Sequence, residues 1–145
     1  MKTIIPVDIF PIEDDGYHLK INMMVNGKLA NMILDTGASR TVFDEKRLVN
    51  FVKEGDISKQ DRLSAGLGTN TMESKQVVLD KVQLGTIFIK DYNAAVLDLT
   101  HVNQSYQRID LDAIDGVLGG DLLFNFGALI DYEEKTLILT EDSEK

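Results

Sequence analysis

A chain of 145 residues fits one folding unit. Its 43% hydrophobic and 27% charged residues lie in the ordinary globular range and exclude a disordered chain. Cysteine is absent, which excludes a disulfide framework and a thiolate metal site; the formal net charge of −9 argues against nucleic-acid and membrane-surface partners, whose phosphates it repels.

The opening Met1-Lys2-Thr3-Ile4-Ile5-Pro6-Val7-Asp8 meets charge and proline before an apolar signal-peptide run can form. No later segment approaches the roughly 18 apolar residues of a membrane helix. The expectation is a cytoplasmic protein. Ile4 to Ile12 reads as an added edge strand, within an N-terminal extension of residues 1–16. Next, Tyr17 to Val25 and Leu29 to Leu34 flank Asn26-Gly27, the pattern of a hairpin with a tight turn. Asp44 to Phe51 reads as a short helix or turn. Gln76 to Leu84 and Thr86 to Leu97 read as strands parted at Gly85, and the polar run Thr100 to Asp110 as a surface loop. Gly120 to Phe126 reads as a second short helix. Ala128 to Tyr132 and Thr136 to Thr140 are the last strands, joined by the charged turn Glu133-Glu134-Lys135, and residues 141–145 form a polar tail. By these patterns the start of the chain looks all-β.

The stretch richest in chemistry is Met32-Ile33-Leu34-Asp35-Thr36-Gly37-Ala38-Ser39, an apolar strand that delivers one carboxylate into a turn of small residues. A carboxylate so placed is expected to be desolvated and held by backbone N–H groups and hydroxyls. Gly37 lets the chain turn closely beneath the acid, and Thr36 has a hydroxyl able to bridge to a neighbouring chain.

This stretch resembles the signature of the pepsin and retropepsin clan of aspartic proteases. A second segment, Ile114-Asp115-Gly116-Val117-Leu118-Gly119-Gly120-Asp121, is similar to the apolar-apolar-Gly element that lies beneath the catalytic loop in that clan. The following Leu122-Leu123-Phe124 and Ala128-Leu129-Ile130-Asp131-Tyr132 resemble the ending of bacterial single-lobe retropepsin-like domains. Between the two, Ser64 to Glu73 looks like the glycine-rich flap hairpin that folds over substrate, with Ala65, Gly66, Leu67, Gly68 and Thr69 as its substrate-facing part.

The resemblance covers about Tyr17 to Thr140. It implies an all-β fold for the whole, a closed single-lobe β-barrel over 17–140 with a flap and one or two short helices. Asp35 would be the catalytic acid, with Thr36, Gly37, Ala38, Ser39, Gly116, Val117, Leu118 and Gly119 supporting its loop. Asp115 and Asp121 would be structural. Pepsin-like hydrolysis needs two carboxylates sharing a proton, and this chain has one Asp-Thr-Gly, so the resemblance implies a homodimer in which Asp35 meets its own copy. Thr36 would bond across the axis, and Leu137-Ile138-Leu139 would contribute to the interface. The substrate would be a peptide or protein, with apolar subsites suggested by Val42, Leu67, Val117 and Leu118, and neither cofactor nor metal is expected. The alternative is a non-catalytic retropepsin-like module that binds a peptide or dimerises.

Other chemistries fare poorly. A Ser-His-Asp site has only His18 and His101 as bases and no Gly-x-Ser-x-Gly elbow. Two distant histidines without cysteine make no recognisable zinc site. The glycines do not stand between a strand and a helix, as a phosphate loop requires.

Overall fold

The fold is that of a computed structural model, which describes residues 1–12, 16–53, 57–59 and 75–142. The stretch read as a flap, with Ala65, Gly66, Leu67, Gly68 and Thr69, lies outside the described residues.

Strand β1 (Lys2–Pro6) is followed by β2 (Asp8–Ile12), β3 (Gly16–Val25) and β4 (Lys28–Leu34). The single edge strand expected over Ile4 to Ile12 is in fact two. Val7, whose N–H donates to Lys135 O at 2.9 Å, separates them, and they enter different sheets. Alternation makes β3: Leu19, Ile21, Met23 and Val25 are buried. Its hairpin to β4 turns at Asn26 and Gly27, with φ of 49° and 83°. Positive φ at both central residues matches the right-handed strand twist, and Asn-Gly tolerates it.

Asp44 to Phe51, expected as a short helix or turn, is that past its first residue: Asp44 ends β5 (Val42–Asp44), and the chain then turns and makes one 3₁₀ turn at Leu48–Asn50. β6 (Ile57–Lys59), β7 (Lys75–Leu84) and β8 (Ile87–Leu97) follow. Thr100 to Asp110 is not a loop: Thr100–Arg108 forms helix α1. Asp98 accepts the Thr100 N–H at its start (2.9 Å), and Asn103 clamps Ile114, receiving its N–H at 2.8 Å and donating to its carbonyl at 3.2 Å. Only Tyr106 of this helix is buried, so too few apolar positions recur to betray it in sequence. The chain ends with β9 (Gly116–Leu118), α2 (Gly120–Asn125), β10 (Leu129–Asp131) and β11 (Thr136–Thr140).

Strands β3, β4, β9, β5, β8 and β7 are consecutive neighbours, and β3 returns to β7 through Met24 opposite Gln83 and Val25 opposite Val82. This closes a six-stranded barrel. It is mixed, because β4–β9 and β5–β8 are parallel. β1, β11 and β10 form a separate antiparallel sheet. Its inward side chains, including Leu137 and Leu139, join the barrel core with Phe43, Leu79 and Leu118. A smaller cluster of Ile33, Tyr106 and Ile114 lies under α1.

Candidate active site

β4 runs buried through Met32, Ile33 and Leu34, and the chain then emerges as Asp35-Thr36-Gly37, all exposed. The Asp35 carboxyl is therefore open to solvent on this chain, not desolvated as expected. Among the described residues one donor holds it: Gly37 N donates to Oδ1 at 2.8 Å. The turn itself is tied by Ala38 N to Asp35 O at 3.2 Å and by Asp35 N to Leu118 O at 3.1 Å. The second bond extends the β4–β9 pairing, in which Met32, Ile33 and Leu34 lie opposite Gly116, Val117 and Leu118.

The two motifs of the sequence are thus brought into contact backbone to backbone. Gly120 N donates to Ala38 O at 2.7 Å. At Gly119 a Cβ would stand 2.4 Å from Arg40 O, and at Gly116 it would stand 2.3 Å from Val42 O. These glycines are needed for close approach.

The two neighbouring acids have no part in the exposed turn. Asp115 is buried; its carboxylate receives Asn31 N at 2.8 Å and Arg47 Nε at 2.7 Å. Asp121 receives the N–H and hydroxyl of Thr41, both at 2.8 Å, and the hydroxyl of Tyr92. Thr41, Arg47 and Tyr92 were not singled out from the sequence. Only their long-range partners mark them, and local pattern does not reveal these.

A hollow of about 290 Å³ lies beside Asp35 and Thr36, with His18, Tyr17, Ile130 and Tyr132 among its walls. Larger hollows of about 530 and 610 Å³ lie elsewhere, beside Lys53 and beside Asp112, and neither includes Asp35. His18 Nδ1 shares a 2.7 Å hydrogen bond with the Tyr106 hydroxyl. Burial, and then the charge of Asp35, push the Tyr106 pKa up to about 12. His101 is exposed on α1, away from this hollow's walls.

Of the residues suggested for apolar subsites, Leu118 is fully buried and so cannot line one; Val42 and Val117 are half-buried; Leu67 lies outside the described residues. Of Leu137-Ile138-Leu139, the first and last are in the core, and only Ile138 faces outward, beside exposed Ile4 and Leu129.

A family model described as aspartyl protease matches residues 21–122, a span that includes both motifs. Two solved structures share the fold. A retropepsin-like aspartic protease from Rickettsia conorii aligns with a TM-score of 0.58 and 23% identity, over 96% of this chain and 88% of its own. The retroviral protease-like domain of Ddi1 from Leishmania major aligns with a TM-score of 0.58 and 16% identity, over 86% and 90%. Comparison with curated proteins finds no significant match.

Proposed function

The chain belongs to the aspartyl protease family, and from that premise we propose that it is an aspartic endopeptidase whose dyad is made by Asp35 of two identical subunits. The observation that carries this is the exposed Asp35-Thr36-Gly37 turn, whose carboxylate is held by Gly37 N and whose backbone is tied to β9. Family membership supports protease chemistry in general; the dyad and the dimer are the finer reading.

In that reading the paired carboxylates share one proton. The ionised one takes a proton from water as the water attacks the peptide carbonyl, and the protonated one donates to the carbonyl oxygen. Thr36 of each subunit bonds across the axis. Strand β10 supports a meeting place for the second copy, because β11 is its only partner among the described residues and Ile130 and Tyr132 wall the same hollow as Asp35. Substrate lies extended, pairing its backbone with strand edges. The flap assigned to Ala65, Gly66, Leu67, Gly68 and Thr69 belongs to this proposal too, as does a cytoplasmic setting. Among the described residues no helix is long and apolar enough to cross a membrane.

The test measures solution mass by light scattering across concentration and salt, and hydrolysis of a casein-like mixture with and without a pepstatin-type inhibitor. Two subunits bring 2 × −9 = −18 formal charges together, so salt should strengthen the dimer by screening. Asp35→Asn should lower hydrolysis by about a hundredfold or more while leaving the fold intact. A strict monomer at high micromolar concentration, or an Asp35→Asn variant active within about tenfold of wild type, refutes the dyad. Dimerisation and peptide binding without hydrolysis would favour the non-catalytic module.

A further inference from the structure

Asp121 sits at the first turn of α2, and among the described residues the three donors on its carboxylate come from two other parts of the chain. Thr41 supplies two, and its own hydroxyl oxygen also accepts from Gly119 N at 3.0 Å. Tyr92 of β8 supplies the third. The same stretch of β8 holds the loop twice more: Arg40 Nη2 donates to Asn93 O at 2.8 Å, and Ala95 N donates to Thr41 O at 3.2 Å. The segment from Asp35 to Thr41 is thereby gripped between Gly119-Gly120 on one side and residues 92–95 on the other.

Tyr92 faces this way because β8 is interrupted just before it. Ile87 and Ile89 lie toward the core, but beyond the break Tyr92, Ala94 and Val96 do, so the alternation slips by one residue. At the slip stands Asp91, with φ of 51°, a left-handed conformation uncommon outside glycine. The β7–β8 register is the same on both sides of it, with Leu79 opposite Tyr92 and Lys81 opposite Lys90; Asp80 and Asp91 drop out of the pairing together, and the alternation of both strands inverts there. A strand irregularity of this kind re-aims a side chain, and strained backbone persists where surrounding structure demands it.

We propose that Tyr92 is a positioning residue: through Asp121 and Thr41, its hydroxyl holds the loop 35–41 in the geometry in which Asp35 acts. This rests on the endopeptidase reading above. The phenol is suited to the task because burial, and next its bond to Asp121, raise its pKa, keeping it a donor throughout the working range. Charge-assisted bonds to a carboxylate are short and directional. Placement of a reacting group is sensitive, and a displacement of about 1 Å costs on the order of a hundredfold in rate.

The experiment compares wild type with Tyr92→Phe, which keeps the ring and its packing and removes only the hydroxyl. We measure kcat and KM separately, the melting temperature, and amide exchange at Thr41 and Gly119 by NMR. The expected result is a kcat lower by about ten- to a hundredfold with KM changed by less than about twofold, and faster exchange at both amides. Thr41→Ser, which keeps the hydroxyl, should retain wild-type kcat. Thr41→Val should fall with Tyr92→Phe, and the double variant should be no worse than either, as members of one network behave. A lowered melting temperature with unchanged kcat overturns the proposal, since that is what a merely structural tyrosine would give. If wild type hydrolyses nothing, the endopeptidase reading fails by itself, and positioning of a catalytic loop fails with it. The exchange arm still reads the mechanical link, and unchanged protection in Tyr92→Phe overturns that separately.

Discussion

Replacing Gly116 by Ala tests whether the contact between the two motifs is as close as the structure has it. The new Cβ would lie 2.3 Å from Val42 O, 2.9 Å from Met32 Cε and 3.2 Å from Phe43 Cα. The methionine methyl can swing aside, but the two backbone atoms cannot. Ordinary contact begins near 3.4 Å, so β9 must retreat from β5 by 3.4 − 2.3 = 1.1 Å. That loosens the pairs Val42–Val117 and Phe43–Gly116 and the 2.9 Å bond from Asp44 N to Asp115 O. At about 1 kcal/mol for each of roughly three backbone hydrogen bonds, the loss is about 3 kcal/mol, the upper end for an overpacked core. In a domain of this size it corresponds to a melting temperature lower by about 10 °C. Gly120→Ala is the control, since its Cβ would come only to 3.3 Å from Ala38 O. It should stay within about 1 kcal/mol of wild type. Differential scanning calorimetry on the two variants decides the matter. A Gly116→Ala protein melting within about 3 °C of wild type would refute the backbone contact.

Two further outcomes are expected. Asp115→Asn leaves one of two buried bonds, to Asn31 N or Arg47 Nε, badly matched. Because the Arg47 side chain is 38% exposed, solvent screens the ionic part, and the cost is about 2 kcal/mol in a urea titration; a midpoint unchanged from wild type counts against the assignment. Tyr106 brings a pH dependence. Its folded pKa of about 12 stands above the ordinary value of 10.0, so the folded state holds the proton more tightly. The stabilisation is complete below about pH 10 and is lost as pH rises from there through about 12, because the unfolded phenol ionises first. Tyr106→Phe should flatten that alkaline fall in stability, measured by denaturant midpoints at stepped pH; an identical fall in the variant would exclude Tyr106 as its source.

Strands whose cues are local were legible in the sequence. The Asn-Gly hairpin, the alternation through β3 and the long pair parted at Gly85 all appear within a residue of where pattern places them, since period and turn chemistry act over a few neighbours. By these cues the start of the chain reads as all-β, and the closed barrel followed from the family resemblance that the two glycine-bearing motifs carry. What escaped was set by contacts distant in the chain. α1 looked like a loop because its stability comes from Asn103 clasping Ile114 and from one buried tyrosine, not from a stripe of apolar residues.

At the candidate site the division is sharper. The sequence alone determined that Asp35 stands in a small-residue turn after an apolar strand, and the resemblance its motifs carry implied that Gly116 and Gly119 belong beside it. Only the tertiary structure decided that the carboxyl is open and held by Gly37 N. It also decided that Leu118, Leu137 and Leu139 are committed to the core and that Asp121 gathers Thr41 and Tyr92. The reason is physical: which face a side chain presents depends on strand register and on slips such as the one at Asp91. Register is fixed by the whole barrel closing, and no window of neighbouring residues contains it.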